Sequence, residues 1–293
     1  MTSIKSKILS LIIRLLIKGK LTKELTTGRI NRTRDVPAPP AKLKNKFAVS
    51  AKTINGHQVF TLSPNNKPAQ KVILYLHGGA YVHNFTKQHW GFIEDLLDTL
   101  DCSVIAPDYP LAPENTYQET STFLEKLYLE IIEQTAPENL IIMGDSAGGG
   151  MALALVQTIK QMGLPQPSQL FLLSPWLDIT MTNPELAEIE KRDPFLDING
   201  LLLAGKAYAG NESPTHYQLS PIYGELEGLG QISIFSGTHD ILYADAKQLK
   251  AICDTQGIGI KYHEFDKMIH CWMLLRLPES KRVINQISRE ISA

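Results

Sequence analysis

Only three cysteines occur in the 293 residues, Cys102, Cys253 and Cys271. An odd count without metal-ligand spacing excludes a disulfide framework and argues against a zinc site. Neither sign of charge dominates, since 29 Lys and Arg stand against 30 Asp and Glu for a net charge of −1. No repeat or low-complexity tract interrupts the chain. No apolar run reaches the roughly 20 residues that a bilayer-spanning helix requires: the run over residues 8–17 is broken by Ser10 and Arg14. Nor does a small-residue cleavage site follow it, which argues against a secretory signal and makes a cytoplasmic location the expectation. With 43% apolar and 20% charged residues, the chain can bury a sizeable core in one α/β domain, although length alone would allow two.

Short apolar runs alternate with helical patterns. Strands are predicted at 47–52, 57–62, 71–76, 103–106, 139–143, 168–173, 231–236 and 260–265, and helices near 87–100, 117–134, 147–161, 243–256 and 279–291. The first two strands are close enough to form a hairpin through Ile54-Asn55-Gly56, and the later ones need helical crossovers. The expected fold is an eight-stranded, mostly parallel sheet flanked by helices, with chemistry at its carboxyl edge.

Residues 144–149 read Gly-Asp-Ser-Ala-Gly-Gly directly after the apolar run at 140–143. A G-x-S-x-G turn between strand and helix needs small flanks and presents the serine hydroxyl at its apex, so Ser146 is the candidate nucleophile. Upstream, the run 71–76 leads into His77-Gly78-Gly79-Ala80-Tyr81. Successive glycines there can turn N–H groups into a cavity where an oxyanion would form, making Gly78 and Gly79, with Ala147, the candidate oxyanion hole. A serine needs a base, itself oriented by a carboxylate. Of the later histidines, His216, His239, His263 and His270, the third lies inside a strand-like stretch, whereas His270 follows the last strand in a loop. Asp240 ends the strand near 233 and is preferred over Asp245, in the following helix, and Asp178, at another strand end. His83 and His89 lack the clustered ligands of a metal site.

These motifs together resemble the hormone-sensitive-lipase branch of the α/β-hydrolase superfamily. The resemblance runs over roughly residues 70–275 through His77-Gly78-Gly79, Gly144 to Gly149, Asp108-Tyr109-Pro110-Leu111-Ala112-Pro113-Glu114, Ser174-Pro175-Trp176-Leu177-Asp178, Asp240 and His270. Two positions depart from the pattern. Ala80 replaces a third glycine, which keeps a backbone N–H but narrows the pocket mouth, and Pro110 stands where arginine is usual. The resemblance implies an α/β-hydrolase fold and a serine carboxylic-ester hydrolase acting through an acyl-enzyme on small, short-chain esters, without metal or organic cofactor. It leaves a deacetylase or amidase using the same residues, or a non-catalytic binding protein on the same scaffold, as alternatives. His270 in its expected loop favours the enzyme. His77, Glu114 and Asp145 are read as residues that fix the site loops.

The implied core is 47–178 with 226–293, and the insertion 179–225 is implied to form a helical cap. Residues 1–46 form a basic arm with 12 Lys and Arg against 2 Asp and Glu, which suggests an anionic partner. At 100° per residue, Ser3, Ser6, Lys7, Ser10, Arg14 and Lys18 share one helical face, while Ile4, Ile8, Leu9, Ile12, Ile13, Leu15 and Leu16 cover the other. This helix either packs on the cap or lies peripherally in a membrane interface. No aromatic platform or binding motif accompanies the charge, so nucleic acid is not expected as a partner. A homo-oligomer is left open.

Overall fold

The computed structural model describes residues 2–65 and 68–292. Its sheet has eight strands: β1 (Ala48–Ile54), β2 (His57–Ser63), β3 (Lys71–Leu76), β4 (Cys102–Pro107), β5 (Leu140–Asp145), β6 (Gln169–Leu173), β7 (Gln231–His239) and β8 (Lys261–Ile269). Among the described residues ten α-helices accompany it: α1 (Ile4–Leu16), α2 (Lys20–Thr27), α3 (Ala41–Lys46), α4 (Lys87–Thr99), α5 (Tyr117–Ile132), α6 (Ala147–Gln161), α7 (Leu186–Arg192), α8 (Ile198–Ala209), α9 (Tyr243–Thr255) and α10 (Pro278–Ser292). The strand order is β1-β2-β4-β3-β5-β6-β7-β8. The pairs β1·β2 and β2·β4 are antiparallel and the rest parallel. The expected α/β-hydrolase sheet is therefore the observed one. Asn55 and Gly56 both adopt positive φ in the β1–β2 turn, the backbone a two-residue hairpin demands.

The central strands are apolar on both sides because the sheet is covered twice. Leu74, Ile142, Leu172 and Ile234 point into one core, with Phe123, Leu127 and Val156 from α5 and α6. Their alternating neighbours Ile73, Ile141, Phe171 and Phe235 point into the other, with Ile93, Leu96 and Ile287 from α4 and α10. Local signals set helix starts: Thr116 and Glu119 form a capping box on α5, and the Asp197 side chain accepts from the Gly200 N–H on α8.

The arm is stitched to the body through polar atoms. The Ser3 N–H donates to the Glu279 carboxylate (2.5 Å), Arg14 donates to the Lys191 carbonyl (2.8 Å), and the Lys18 ammonium donates to the Glu190 and Asp193 carbonyls (each 2.7 Å). Of α1, only Ser6 and Ile13 are buried. Leu9 and, just past the helix, Ile17 also pack against the core, whereas Ile4, Ile8, Leu11, Ile12, Leu15 and Leu16 face outward, so the helix rests on the body by a narrow mixed edge. Next in the chain, α2 packs on α8.

Helix α6 begins hard against the ends of β3 and β5. A Cβ at Gly148 would overlap the Leu76 carbonyl oxygen, and one at Gly144 would overlap that of Gly148. Both partners are backbone and cannot rotate aside, so Gly148→Ala should cost about 3 kcal/mol or more, or abolish soluble expression. Gly259→Ala, where a Cβ meets nothing within 4 Å, should stay within about 0.5 kcal/mol of wild type in urea unfolding.

Candidate active site

Parallel register brings the site loops together. Leu76 of β3 lies opposite Gly144 of β5, and Asp145 opposite Leu173 of β6, so the residues after β3 and β5 meet at one edge of the sheet. Ser146 sits at the sharp turn into α6 with φ 53° and ψ −123°, a backbone state that costs a non-glycine residue of order 1–3 kcal/mol. The surroundings hold it there: the Ser146 N–H donates to the Leu173 carbonyl (2.9 Å), and its own carbonyl accepts from the Trp176 N–H (2.9 Å).

A bulge between Gly237 and His239 and the pairing of His239 with Ile269 end β7 and β8 side by side. Asp240 and His270 are the next residue on each strand. His270 Nδ1 lies 2.9 Å from Asp240 Oδ2, and His270 Nε2 lies 2.9 Å from Ser146 Oγ. A carboxylate only accepts, so Nδ1 carries the proton and Nε2 is left to accept from the serine hydroxyl. Asp240 Oδ1 accepts from the Leu242 N–H (3.0 Å), which fixes the carboxylate plane. Burial by itself disfavours protonated His270, but the carboxylates of Asp240, Asp193 and Asp145, Asp240 foremost, together outweigh it and the pKa rises above the ordinary 6.5. Asp193, buried beside this pair, is pushed up to about 6, first by burial and then by the Asp240 charge. Its carboxylate accepts from the N–H groups of Phe195, Leu196 and Ile241, and the Phe195 ring lies 5.7 Å from His270.

The other candidates lie elsewhere. His263 is bonded to Glu290 (2.7 Å) and stacked on Phe235, and Asp245 accepts from Asn183 (2.9 Å). Asp178 accepts from Thr180, Ser220 and Tyr223, and His216 lies among Tyr117 and Tyr217. Burial pushes the Asp245 carboxyl up to about 7, which follows from its place inside α9. Cys271, next to His270 in the chain, has its sulfur 3.3 Å from His270 Nε2.

The glycine loop differs from expectation at one position. The Gly78 N–H donates to Asp145 Oδ1 (3.0 Å), so it is turned away from an incoming oxyanion and holds the loop instead. Among the described residues, the N–H groups of Gly79, Ala80 and Ala147 have no side-chain acceptor and no backbone partner outside regular elements. At Ala147 this follows from its place at the first position of α6, where no intrahelical partner exists. Ala80, at φ 52°, thus presents the unbonded N–H that was expected of Gly78. The signal was present, since alanine retains the N–H of the glycine it replaces. Asp145 is the node behind this loop. It also accepts from the Tyr75 hydroxyl (2.6 Å) and contacts His89 Nε2 (3.3 Å). Burial would raise its pKa, yet His89, Tyr75 and the Gly78 N–H hold it down to about 2.

His77 is wholly buried, stacked on Tyr109 at 4.2 Å. Burial drives its pKa down to about 3 and keeps it neutral, with Nδ1–H donating to the Gly78 carbonyl (2.7 Å). Glu114 is exposed and acts through Arg32, which it binds by both oxygens (3.0 and 2.8 Å). Arg32 in turn donates to the Val82 and Ala112 carbonyls (each 2.9 Å). The arm reaches the same loop again at His83, which contacts Glu24 (3.0 Å) and Asp35 (3.5 Å).

Comparison with known proteins agrees with this geometry. A family described as α/β-hydrolase fold matches residues 73–274. An esterase of Acinetobacter venetianus is 31% identical, over 75% of this chain and 74% of its own length. An acetyl-hydrolase of Streptomyces hygroscopicus is 30% identical, over 73% of each chain. Among solved structures, the esterase EstE5 soaked with p-nitrophenyl butyrate superposes with a TM-score of 0.84 at 26% identity, covering 99% of this chain and 98% of that one. The chain belongs to the α/β-hydrolase fold family, among its hormone-sensitive-lipase-like esterases.

Proposed function

We propose that the protein is a carboxylesterase that works through an acyl-enzyme on Ser146. The observation that carries the reading is the unbroken chain Asp240–His270–Ser146, with both links at 2.9 Å. As Ser146 Oγ bonds to the ester carbonyl carbon, its proton passes to His270 Nε2 and the carbonyl electron pair moves onto oxygen. The N–H groups of Gly79, Ala80 and Ala147 would meet that oxyanion. Collapse breaks the bond to the alcohol, which leaves with the proton from His270. Water then repeats the sequence on the acyl-serine, losing a proton to His270 and releasing the acid. Asp240 holds the imidazole tautomer and stabilises the imidazolium.

Short acyl chains fit the reading best. Tyr81, next to the glycine loop, stacks face to face on Tyr208 at 3.8 Å and lies 5.1 Å from Trp176. A recess of about 20 Å³ adjoins Tyr208, lined also by Tyr117, Met151 and Leu155, about the space of one water. In this proposal the segment 179–225, which carries Tyr208, caps the pocket together with the arm. The arm also gives the enzyme a peripheral membrane contact, near esters dissolved in lipid.

Ser146→Ala should lower turnover of short p-nitrophenyl esters by about 10⁴-fold or more with little change in unfolding midpoint. His270→Ala and Asp240→Asn should lose most turnover, whereas His263→Ala and Asp245→Asn should keep it if folded. An active His270 variant beside an inactive His263 variant would reverse the choice of base. The pH profile has a defined sign. His270 must be neutral to accept the serine proton, and its pKa lies above 6.5, so kcat/KM should fall as pH drops with a midpoint above 6.5. A profile flat down to acid pH would exclude His270 as base. Across an acyl series, wild type should prefer acetate and butyrate to decanoate, and Tyr208→Ala should move the preference toward longer chains.

A further inference from the structure

We infer that the outward face of α1 is a docking surface for an anionic lipid membrane. Six large apolar side chains form a stripe along it: Ile4 (76% exposed), Leu15 (74%), Leu16 (61%), Leu11 (60%), Ile8 (56%) and Ile12 (45%). A helix held to its own protein normally turns such a stripe inward. Here the opposite edge is fixed: Ser3, Arg14 and Lys18 are bonded to Glu279 and to the carbonyls of residues 190, 191 and 193. Rolling the apolar arc onto the body would break those bonds. The exposed arc is therefore a built feature of the docked helix.

Charge selects the occupant. Lys5 and Lys7 are exposed on α1 itself, and Lys20, Lys23, Arg29 and Arg34 are exposed on the segment that follows it. Among the described residues Lys7, Lys20, Lys23, Arg29 and Arg34 have no acidic partner. A second copy seated on this face would set two basic arms against each other, which like charges oppose. An anionic bilayer offers both required chemistries at once, an acyl boundary for the stripe and phosphate charge for the lysines. The helix has 13 residues, about 20 Å at 1.5 Å per residue, and no described helix is long and apolar enough to cross a membrane. The contact is thus interfacial. It makes specific the membrane contact proposed for the arm and does not rest on the assignment of the catalytic residues.

Co-sedimentation of the full chain with vesicles tests it without any turnover. Wild type and Ser146→Ala should bind vesicles of phosphatidylcholine with phosphatidylglycerol equally, bind pure phosphatidylcholine far less, and release as salt rises. Ile8→Ser with Leu15→Ser, at exposed positions, should keep the wild-type melting temperature and bind about tenfold more weakly or worse. Lys7→Gln, Lys20→Gln and Lys23→Gln combined should weaken binding and flatten its salt dependence. Absence of wild-type binding, or binding that the Ile8/Leu15 variant retains, would overturn the inference. So would equal binding to neutral vesicles, or a wild-type dimer without vesicle affinity that the same variant converts to monomer, since a second copy would then cover the stripe.

Discussion

Parallel pairing of β5 with β3 and β6 is the constraint on which the rest of the molecule depends. With Leu76 opposite Gly144 and Asp145 opposite Leu173, the turn after β5 emerges beside the loop after β3 and the loop after β6. The left-handed backbone of Ser146 persists because Leu173 at the end of β6 and Trp176 just after it bond its peptide groups, and because α6 has glycines where it meets the strand ends. A one-residue slip would send every core side chain of β5 to the opposite face of the sheet. Two strands further out, the same edge delivers Asp240 and His270 side by side, each one residue past the end of β7 or β8.

Buried charge then orients what the sheet has gathered. Two carboxylates serve opposite ends of the site. Asp240 orients the imidazole, and Asp145 draws the Gly78 N–H, the Tyr75 hydroxyl and His89 to one point behind the glycine loop. Their environments differ. Asp145 has three partners that favour its charged form, whereas Asp193, next to Asp240, faces a second carboxylate and is pushed upward. Asp193 also joins the site to the arm, since its backbone carbonyl accepts from Arg14 and Lys18 while its carboxylate holds the Ile241 N–H beside Asp240. The arm is therefore mechanically connected to the acid end of the site as well as to the glycine loop.

Much of this was legible in the sequence for identifiable reasons. Central strands such as 71–76 and 140–143 stand out because burial on both faces makes them continuously apolar, and turn chemistry marks Asn55-Gly56. The order serine, aspartate, histidine at strand ends selected the three residues that the structure links in series, with Ser146 and Asp240 each 2.9 Å from a different nitrogen of His270. What was not legible depends on contacts between distant residues. Nothing local to Gly78 announces that Asp145, 67 residues on, takes its N–H. Helices α7 and α8 were not resolved within the insertion, where apolar residues answer to neighbouring segments as well as to their own period. The amphipathic pattern of α1 was clear, but which side meets the body is decided by carbonyls of residues 190–193 and by Glu279.

The central claim is that Ser146 is the nucleophile, activated through His270. Peptide mapping by mass spectrometry after reaction with a fluorophosphonate tests it most directly, because the adduct marks the attacking atom itself. The expected result is one phosphonylated residue, Ser146, with labelling slowed by orders of magnitude in His270→Ala. An adduct confined to another residue, or ester hydrolysis that continues after Ser146 is fully modified, would contradict it.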